Sequence, residues 1–411
     1  MKFSIITPTH LKNAFLDDLY DSLLEQTHSD WEWVLFLNGG AQPNQLSQRI
    51  TSDERVRVIL QVEENNCVGY VKNKAFNSGK GDVLVEVDHD DILTADCLEE
   101  LNKAFQDSSV GFVFSDDAIY HMKEEPLPYM ASNGWTHYRY DWKGKSLLAH
   151  NCFEPSSRSM SYIWYAPDHV RAWRKDVYVD IGGHNPELDV CDDHELMIRT
   201  YLNTKMLHIP KVLYIYRVTG ENTWLERNAA IQTRTVELFN KHAWDLACKD
   251  AKENKLHIVE LGGGINPKPG CNINIDMEDG NMKWDLNDGI PLPDNSVGVI
   301  WASHIIEHLH DKHKIMTEIH RVLADGGWAF IQVPSTDGRG AWQDPTHVSF
   351  WNENCFWYYT RKNMADFIRN KTVKFQEFRL QTFWWENNIA ITDAWLVAVK
   401  SDKRRPHQLS I

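Results

Sequence analysis

The stretch DVLVEVDHDDIL, residues 82–93, runs from apolar strand-like residues straight into Asp88, His89, Asp90 and Asp91. Three carboxylates this close repel one another, so water, a helix start or a cation has to compensate. The stretch is the fourth of a series, in which KFSIITP (2–8), EWVLFLN (32–38), VRVILQV (56–62) and DVLVEVD (82–88) read as buried strands. Between the first two lies LKNAFLDDLYDSLLEQ, with Leu11, Phe15, Leu19 and Leu23 on one helical face. This βαβ rhythm predicts an α/β fold with a mostly parallel sheet. Ligands of such sheets bind beyond the carboxyl ends of the strands. Four of those ends are polar: Thr7-Pro8-Thr9, Asn38-Gly39-Gly40, the 63–73 loop and Asp88-His89-Asp90. A hard divalent cation takes oxygen ligands and is commonly shared between carboxylates and substrate phosphates. Asp88 and Asp90 are therefore read as metal ligands, with Asp91 left to serve the helix TADCLEELNKAF that follows.

The totals narrow the function classes. At 411 residues the chain exceeds one ordinary core, and two domains are expected. No apolar run approaches the roughly 20 residues of a membrane span. MKFSIITPTH begins like a strand rather than a signal peptide, so the chain is expected to be mature from Met1. Seven scattered cysteines without a C-x-x-C pair suit reduced thiols in a cytoplasm. A formal charge of −15 argues against a nucleic-acid footprint, which needs a basic face. Peripheral membrane association and oligomeric state stay open.

Past residue 120 the pattern loosens and aromatics gather at Trp135, Tyr138, Tyr140 and Trp142, a segment assigned to acceptor binding. Residues 226–254 read as one polar helix and the best linker, giving domains 1–225 and 255–411. A second βα rhythm follows in LHIVELG, NINIDM, MKWDL, VGVIWAS, a helix ending in RVLADGG, and WAFIQVP, with two late strands around 373–385 and 391–400.

Residues 1 to about 225 resemble the family 2, inverting glycosyltransferases of GT-A fold. The motifs in order are SIITPTH, SLLEQTHSDWEWVLFLN, GYVKNKAF before GKGDVLVEVDHDD, DIGGHNPEL and CDDHELMIR. The resemblance implies Pro8 and Thr9 near the nucleotide base, Asp88 near the ribose, and Asp90 on a Mn²⁺ or Mg²⁺ at the diphosphate of a nucleotide-sugar donor. It implies Asp193 as catalytic base, with Asp192 beside it; from the residues alone, both fit the first turn of a helix. Three positions depart from the family pattern: Asn38 where Asp usually contacts the base, Lys72 where Arg is usual, and Thr219 in place of a His. UDP is the expected nucleotide, and a glycan or glycolipid the expected acceptor.

VELGGGINPKPG puts glycines at a strand end, where a backbone must approach a ligand closely. Asp276, ending the next strand, is placed to accept from a ribose's two hydroxyls. With WDLNDGIPLPDNSV, ASHIIEHL and RVLADGGWAFIQVP, residues 256–400 resemble a Rossmann-like class I S-adenosylmethionine-dependent methyltransferase. The resemblance implies Glu260, Gly262 and Gly264 at the methionine end, Asp276 at the ribose, Asp285 and Leu286 at the adenine edge, and His304 beside the methyl-transfer pocket. Asp285 is expected to end the third strand. Only eleven residues separate Gly264 from Asp276, so the first helix is expected to be short or replaced by a loop.

In GAWQDPTHVSFW (340–351), Asp344 or His347 is placed to orient or deprotonate a sugar hydroxyl, while His308, His310 and His313 read as a solvated helix face. A rival sits in His304-Ile-Ile-Glu307-His308, an H-x-x-E-H pattern in which two His at i and i+4 on a helix share zinc in a peptidase. The expectation is a bifunctional enzyme of polysaccharide biosynthesis, transferring a sugar and O-methylating the saccharide. The alternatives are a single-activity glycosyltransferase with a non-catalytic second domain, and a glycan-binding module.

Overall fold

The apolar runs of the first ninety residues form four neighbouring parallel strands, β1 (Phe3–Thr9), β2 (Trp31–Leu37), β3 (Val56–Leu60) and β4 (Val83–Glu86). The structure, a computed structural model, describes all residues except 13, 64, 123–130, 162–166, 220–226 and 407–411. It divides into two units, Met1–Leu246 and Ala247–Ile411.

In the first unit the sheet continues through β5 (Ile92–Leu93), β6 (Val110–His121), β7 (Thr136–Trp142), β8 (Lys145–Asn151), β9 (Arg171–Arg174) and β10 (Lys205–Val218). The order is β3-β2-β1-β4-β9-β6-β10-β5, with the β7–β8 hairpin attached through β8 to β6. Strand β9 enters antiparallel between β4 and β6, where the parallel half of the sheet ends. Apolar faces of β1, β2 and β4 pack on helices α1 (Leu16–Leu24) and α2 (Cys97–Ala104), burying Phe3, Trp33, Val85, Leu19, Leu23 and Leu98. Helix α1 starts later than its apolar spacing suggests. Leu11 has a left-handed φ of 64° and its N–H bonds Thr9 Oγ1, while the Phe15 N–H donates to His89 O. The segment before the helix is thereby pinned to the D-x-D turn. Trp135 is a core residue, and Tyr138 donates its hydroxyl to Asp116 at 3.0 Å.

Helix α3 (Asp192–Asn203) precedes β10, and α4 (Asn228–Glu253) carries the chain across the unit boundary. The long helix, expected as a polar linker, also carries buried apolar residues. It buries Ile231, Leu238, Phe239, Leu246 and Ala251, and a Cβ on Gly298 of the second unit would meet Ala251 at 2.5 Å.

The second unit holds β11 (His257–Leu261), β12 (Ile273–Asp276), β13 (Met282–Lys283), β14 (Val297–Ser303), β15 (Leu323–Pro334), β16 (Phe375–Trp385) and β17 (Ile389–Ala398). Their order is β13-β12-β11-β14-β15-β17-β16, parallel through β15, after which β17 and β16 are antiparallel. Val259, Ile300 and Ile331 of the sheet bury against Ile315 and Ile319 of helix α5 (Lys312–Val322). Residues 262–272, between β11 and β12, form a loop without a helix. Among the described residues, no helix is long and apolar enough to cross a membrane.

Candidate functional site

The turn after β4 sets the three adjacent aspartates apart. Asp91 is fully buried; it accepts from the Tyr214 hydroxyl at 2.7 Å and from the Arg217 N–H at 2.7 Å. It therefore ties the turn to β10, and the helix role expected for it is corrected: α2 begins at Cys97, after Asp96. The Asp90 carboxyl is pushed up to about 7, first by burial and then by Asp88. A half-buried carboxylate crowded by another fits a divalent cation, so these residues suit the metal that the resemblance implies. Thr9, at the end of β1, bonds His89 Nδ1 at 2.9 Å and is itself buried, and the Asn38 N–H donates to Thr9 O at 3.0 Å. Pro8, Thr9, Asn38 and Asp88 thus share one sheet edge, with Pro8 and Asn38 partly open.

Beside that edge lies a charge network assembled from segments far apart in the sequence. Glu86 of β4 pairs with Arg171 of β9 in the antiparallel register. Arg171 Nη1 donates to Asp193 Oδ2 at 2.9 Å and lies 3.6 Å from Glu86 Oε2. Lys72 donates to Glu86 Oε1 at 2.6 Å and stands 3.9 Å from Asp192 Oδ2. Lys72, expected at the donor, is engaged with these two carboxylates. His169, two residues before Arg171, places Nε2 4.0 Å from Asp88 Oδ2. The start of β9 thus links the D-x-D turn to the acidic pair of α3.

The two members of that pair have opposite proton affinities. Burial pushes Asp192 up, Lys72 only partly opposes it, and with Asp193 and Glu86 nearby its carboxyl reaches about 7. Burial also acts on Asp193, but Arg171 and then Lys72 outweigh it and hold the carboxyl below its ordinary value. Glu86 stays ionised against burial because Lys72 and Arg171 flank it. His184 is pushed down to about 3, chiefly by burial, so it sits neutral 3.7 Å from Asp192. Glu86, His169, Arg171 and His184 were not foreseen; a charged residue inside an apolar strand such as VLVEV was the one available signal.

In the second unit the carboxyl ends of β11, β12 and β14 lie side by side, with Leu261 registered against both Ile275 and Ala302. Gly262 has a φ of 69°, and a Cβ there would strike Ile305 at 2.6 Å. Gly264 has a φ of 52° and open space where its Cβ would stand. Such an open, backbone-lined edge suits a close-lying ligand. Asn274, unforeseen, clamps the loop by accepting from the Gly263 N–H at 3.1 Å and donating to Gly264 O at 2.8 Å. Asp276 accepts from the N–H groups of Glu278 (2.9 Å), Asp279 (3.2 Å) and Gly264 (3.1 Å). These bonds, that from Glu278 foremost, lower its pKa, while burial raises that of Glu260. The Glu260 carboxylate also accepts from the Lys268 N–H.

Three readings here need correction. Asp285 does not end a strand, because β13 stops at Lys283; Asp285 caps the short 3₁₀ turn Leu286–Asp288, accepting from the Asn287 N–H at 2.8 Å. The Leu286 side chain is committed to the core, leaving its backbone for any ligand. The H-x-x-E-H residues do not form a helical zinc pair either. His304 has a left-handed φ of 54°, and only Ile306–His308 form a 3₁₀ turn, so the two His are not i and i+4 on an α-helix. His308 is half-buried rather than part of a solvated face, whereas His310 and His313 are exposed.

Residues 4–159 match the family model described as Glycosyl transferase family 2, and residues 239–331 match that described as Methyltransferase domain. The O-antigen biosynthesis protein RfbC of Myxococcus xanthus is 25% identical over 237 residues, covering 56% of this chain and 17% of that protein. A probable S-adenosylmethionine-dependent methyltransferase of Mycolicibacterium smegmatis is 33% identical over 78 residues, 18% of this chain and 28% of that protein. The chain thus spans well under a third of the length of these two relatives. Among solved structures, S. aureus TarS is similar with a TM-score of 0.42 and 19% identity, covering 61% of this chain and 42% of that one.

Proposed function

We propose that this chain, a family 2 glycosyltransferase domain followed by a methyltransferase domain, transfers a sugar from a nucleotide-sugar donor to a glycan or glycolipid acceptor and then O-methylates the saccharide. UDP is the nucleotide we assign to the donor. The observation that carries the transfer half is the link through β9: Arg171 holds Asp193 while His169, two residues away, reaches toward Asp88.

Of the acidic pair, Asp193 is the more accessible, its side chain 19% exposed against 6% for Asp192. It is also the one held ionised at neutral pH. Asp193 accepts the proton of the acceptor hydroxyl as that oxygen attacks the anomeric carbon from the face opposite the leaving diphosphate, which inverts the anomeric centre. Arg171 holds the carboxylate in place to receive that proton. Asp90, with Asp88 beside it, would hold a divalent cation, which when bound neutralises charge on the departing diphosphate. Pro8, Thr9 and Asn38 border the base, and Asp88 the ribose.

In the second domain Gly262 and Gly264 let the backbone lie against S-adenosylmethionine, which supplies the methyl group. Glu260 lines its methionine end, the ionised Asp276 accepts from the ribose hydroxyls, and Asp285 with the Leu286 backbone borders the adenine. His304 flanks the transfer pocket.

A donor screen read by mass spectrometry, with manganese and an isotope-labelled methyl donor, tests both halves. The expected product carries one added sugar and a labelled methyl, and chelator abolishes the sugar addition. Full transfer by Asp90→Asn in chelator would remove the metal reading. Titration calorimetry without S-adenosylmethionine binding by the intact chain would remove the methyltransferase half and leave a single-activity glycosyltransferase.

A further inference from the structure

The geometry points to a transition-metal site in the second unit, formed by Glu307, His308 and His347 and independent of the D-x-D turn; we propose that it takes zinc. One ligand atom of each residue lies within 4.8 Å of those of the other two. The segments that supply them are 39 positions apart in number, yet the tertiary structure locks them together. The N–H groups of Val348 and Ser349 donate to Glu307 O at 3.0 and 2.9 Å, and the His308 and His347 rings meet edge to face with centroids 5.0 Å apart.

Three features make this a ligand set rather than a chance meeting. Glu307 is 2% exposed, and neither carboxylate oxygen has a hydrogen-bond partner in the structure. A buried carboxylate left that way is costly unless a cation or donor completes it. Next, both imidazoles are oriented through Nδ1. His347 Nδ1 lies 3.0 Å from Ala341 O, and His308 Nδ1 lies 3.1 Å from Thr346 O. A carbonyl only accepts, so each Nδ1 carries the proton and each Nε2 keeps its lone pair for a metal. Finally, His347 Nε2 already stands 4.0 Å from Glu307 Oε1 and 3.9 Å from Asp344 Oδ2, so Asp344 is within reach of a fourth position. Donors roughly 2.0–2.2 Å from a shared zinc lie about 3.4 Å apart in a tetrahedron, so the side chains need close by only about an ångström. Two imidazoles and one or two carboxylates form a donor set that zinc accepts readily.

The site differs from the peptidase pattern in its ligands. There His304 and His308 bind metal and the Glu acts as base; here Glu307 is itself a ligand and His347 replaces His304. The placement at the 340–351 loop puts the ion beside Asp344, one of the two residues read in the sequence as orienting a sugar hydroxyl.

The full-length protein, stripped with chelator and dialysed against micromolar zinc, should retain one equivalent by elemental mass spectrometry. Cobalt titration should give the visible absorption of a four- or five-coordinate ion. Glu307→Gln, His308→Asn and His347→Asn should each weaken binding at least ~100-fold, the upper end of what loss of an outer-shell partner costs. The neighbouring exposed His310→Asn should bind as wild type does. Melting curves in chelator check folding; if Glu307→Gln fails to fold, the two His variants decide. Absence of stoichiometric zinc and cobalt binding, or wild-type affinity in His308→Asn and His347→Asn, would overturn the proposal.

Discussion

The sheet edge after β4 and the sheet edge after β11 are built on opposite principles. The first is a set of charges: Lys72, Glu86, Arg171 and the adjacent Asp192 and Asp193 come from four separate segments and compensate one another in a buried volume. The second is mostly backbone: Gly262 to Gly264 and Asp276 lie within fifteen residues, joined by bonds from main-chain N–H groups. A charge network transmits the loss of any member to the others, because an orphaned buried charge costs more than its pair contributes. A backbone cradle fails locally. The two domains should therefore respond differently to equally conservative substitutions.

The largest effect is expected at Asp193. Asp193→Asn keeps size and much of the hydrogen bonding but removes the proposed base, and kcat for sugar transfer should fall by roughly 10²–10⁴ while donor binding changes little. Asp192→Asn should cost less, and the reverse ranking in steady-state kinetics would move the base to Asp192. If methylation follows transfer, Asp193→Asn should also fail to methylate the starting acceptor yet methylate a glycosylated product supplied ready-made. Methylation of the bare acceptor at the wild-type rate would show that the two steps are not sequential.

Arg171→Met should come next. It leaves Glu86 and Asp193 buried without their shared cation, and unfolding by urea should show a loss of about 3–5 kcal/mol in the first domain. An unchanged midpoint would mean that the network is not a stabilising unit.

The cradle should show a smaller, confined effect. Asp276→Ala removes a charged acceptor and should weaken S-adenosylmethionine binding by about 10- to 150-fold by calorimetry, with sugar transfer unaltered. Loss of transfer in the same variant would contradict the independence of the two edges.

The smallest change is expected at Asp90. The folded carboxyl holds its proton to about 7, against 3.8 for the free group, so the folded state binds the extra proton between those values. Without added cation, stability should fall as pH rises from about 4 to 7. Asp90→Asn should flatten that slope and raise the melting temperature at pH 7.5 by a few degrees, at about 2–4 °C per kcal/mol. No difference at pH 7.5 would mean that Asp88 and burial do not strain Asp90.

Both edges were legible wherever the signal was local. Alternation and apolar runs located β1, β2, β4, β11, β12 and β14 to within two residues, because a strand buried on both faces has to be apolar throughout. Strand ends then pointed to Asp88, Asp90, Gly262 and Asp276, since parallel sheets bind at their carboxyl edge. Where spacing misled, tertiary bonds had replaced helical ones: Leu11 and Phe15 fit a helical face but are held by Thr9 and His89. The same holds for Asp285, read as the end of a strand and found capping a turn.

Arg171 bonding Asp193, Asp91 bonding Tyr214 and Arg217, and Glu307 facing His347 are contacts across 22, more than 120 and 40 positions. No local periodicity encodes them. Patterning of apolar and polar residues acts within a few residues of itself and so is written in the chain. Which buried charge meets which depends on strand order and on the register of β4 with β9, and those are decided only when the whole sheet packs.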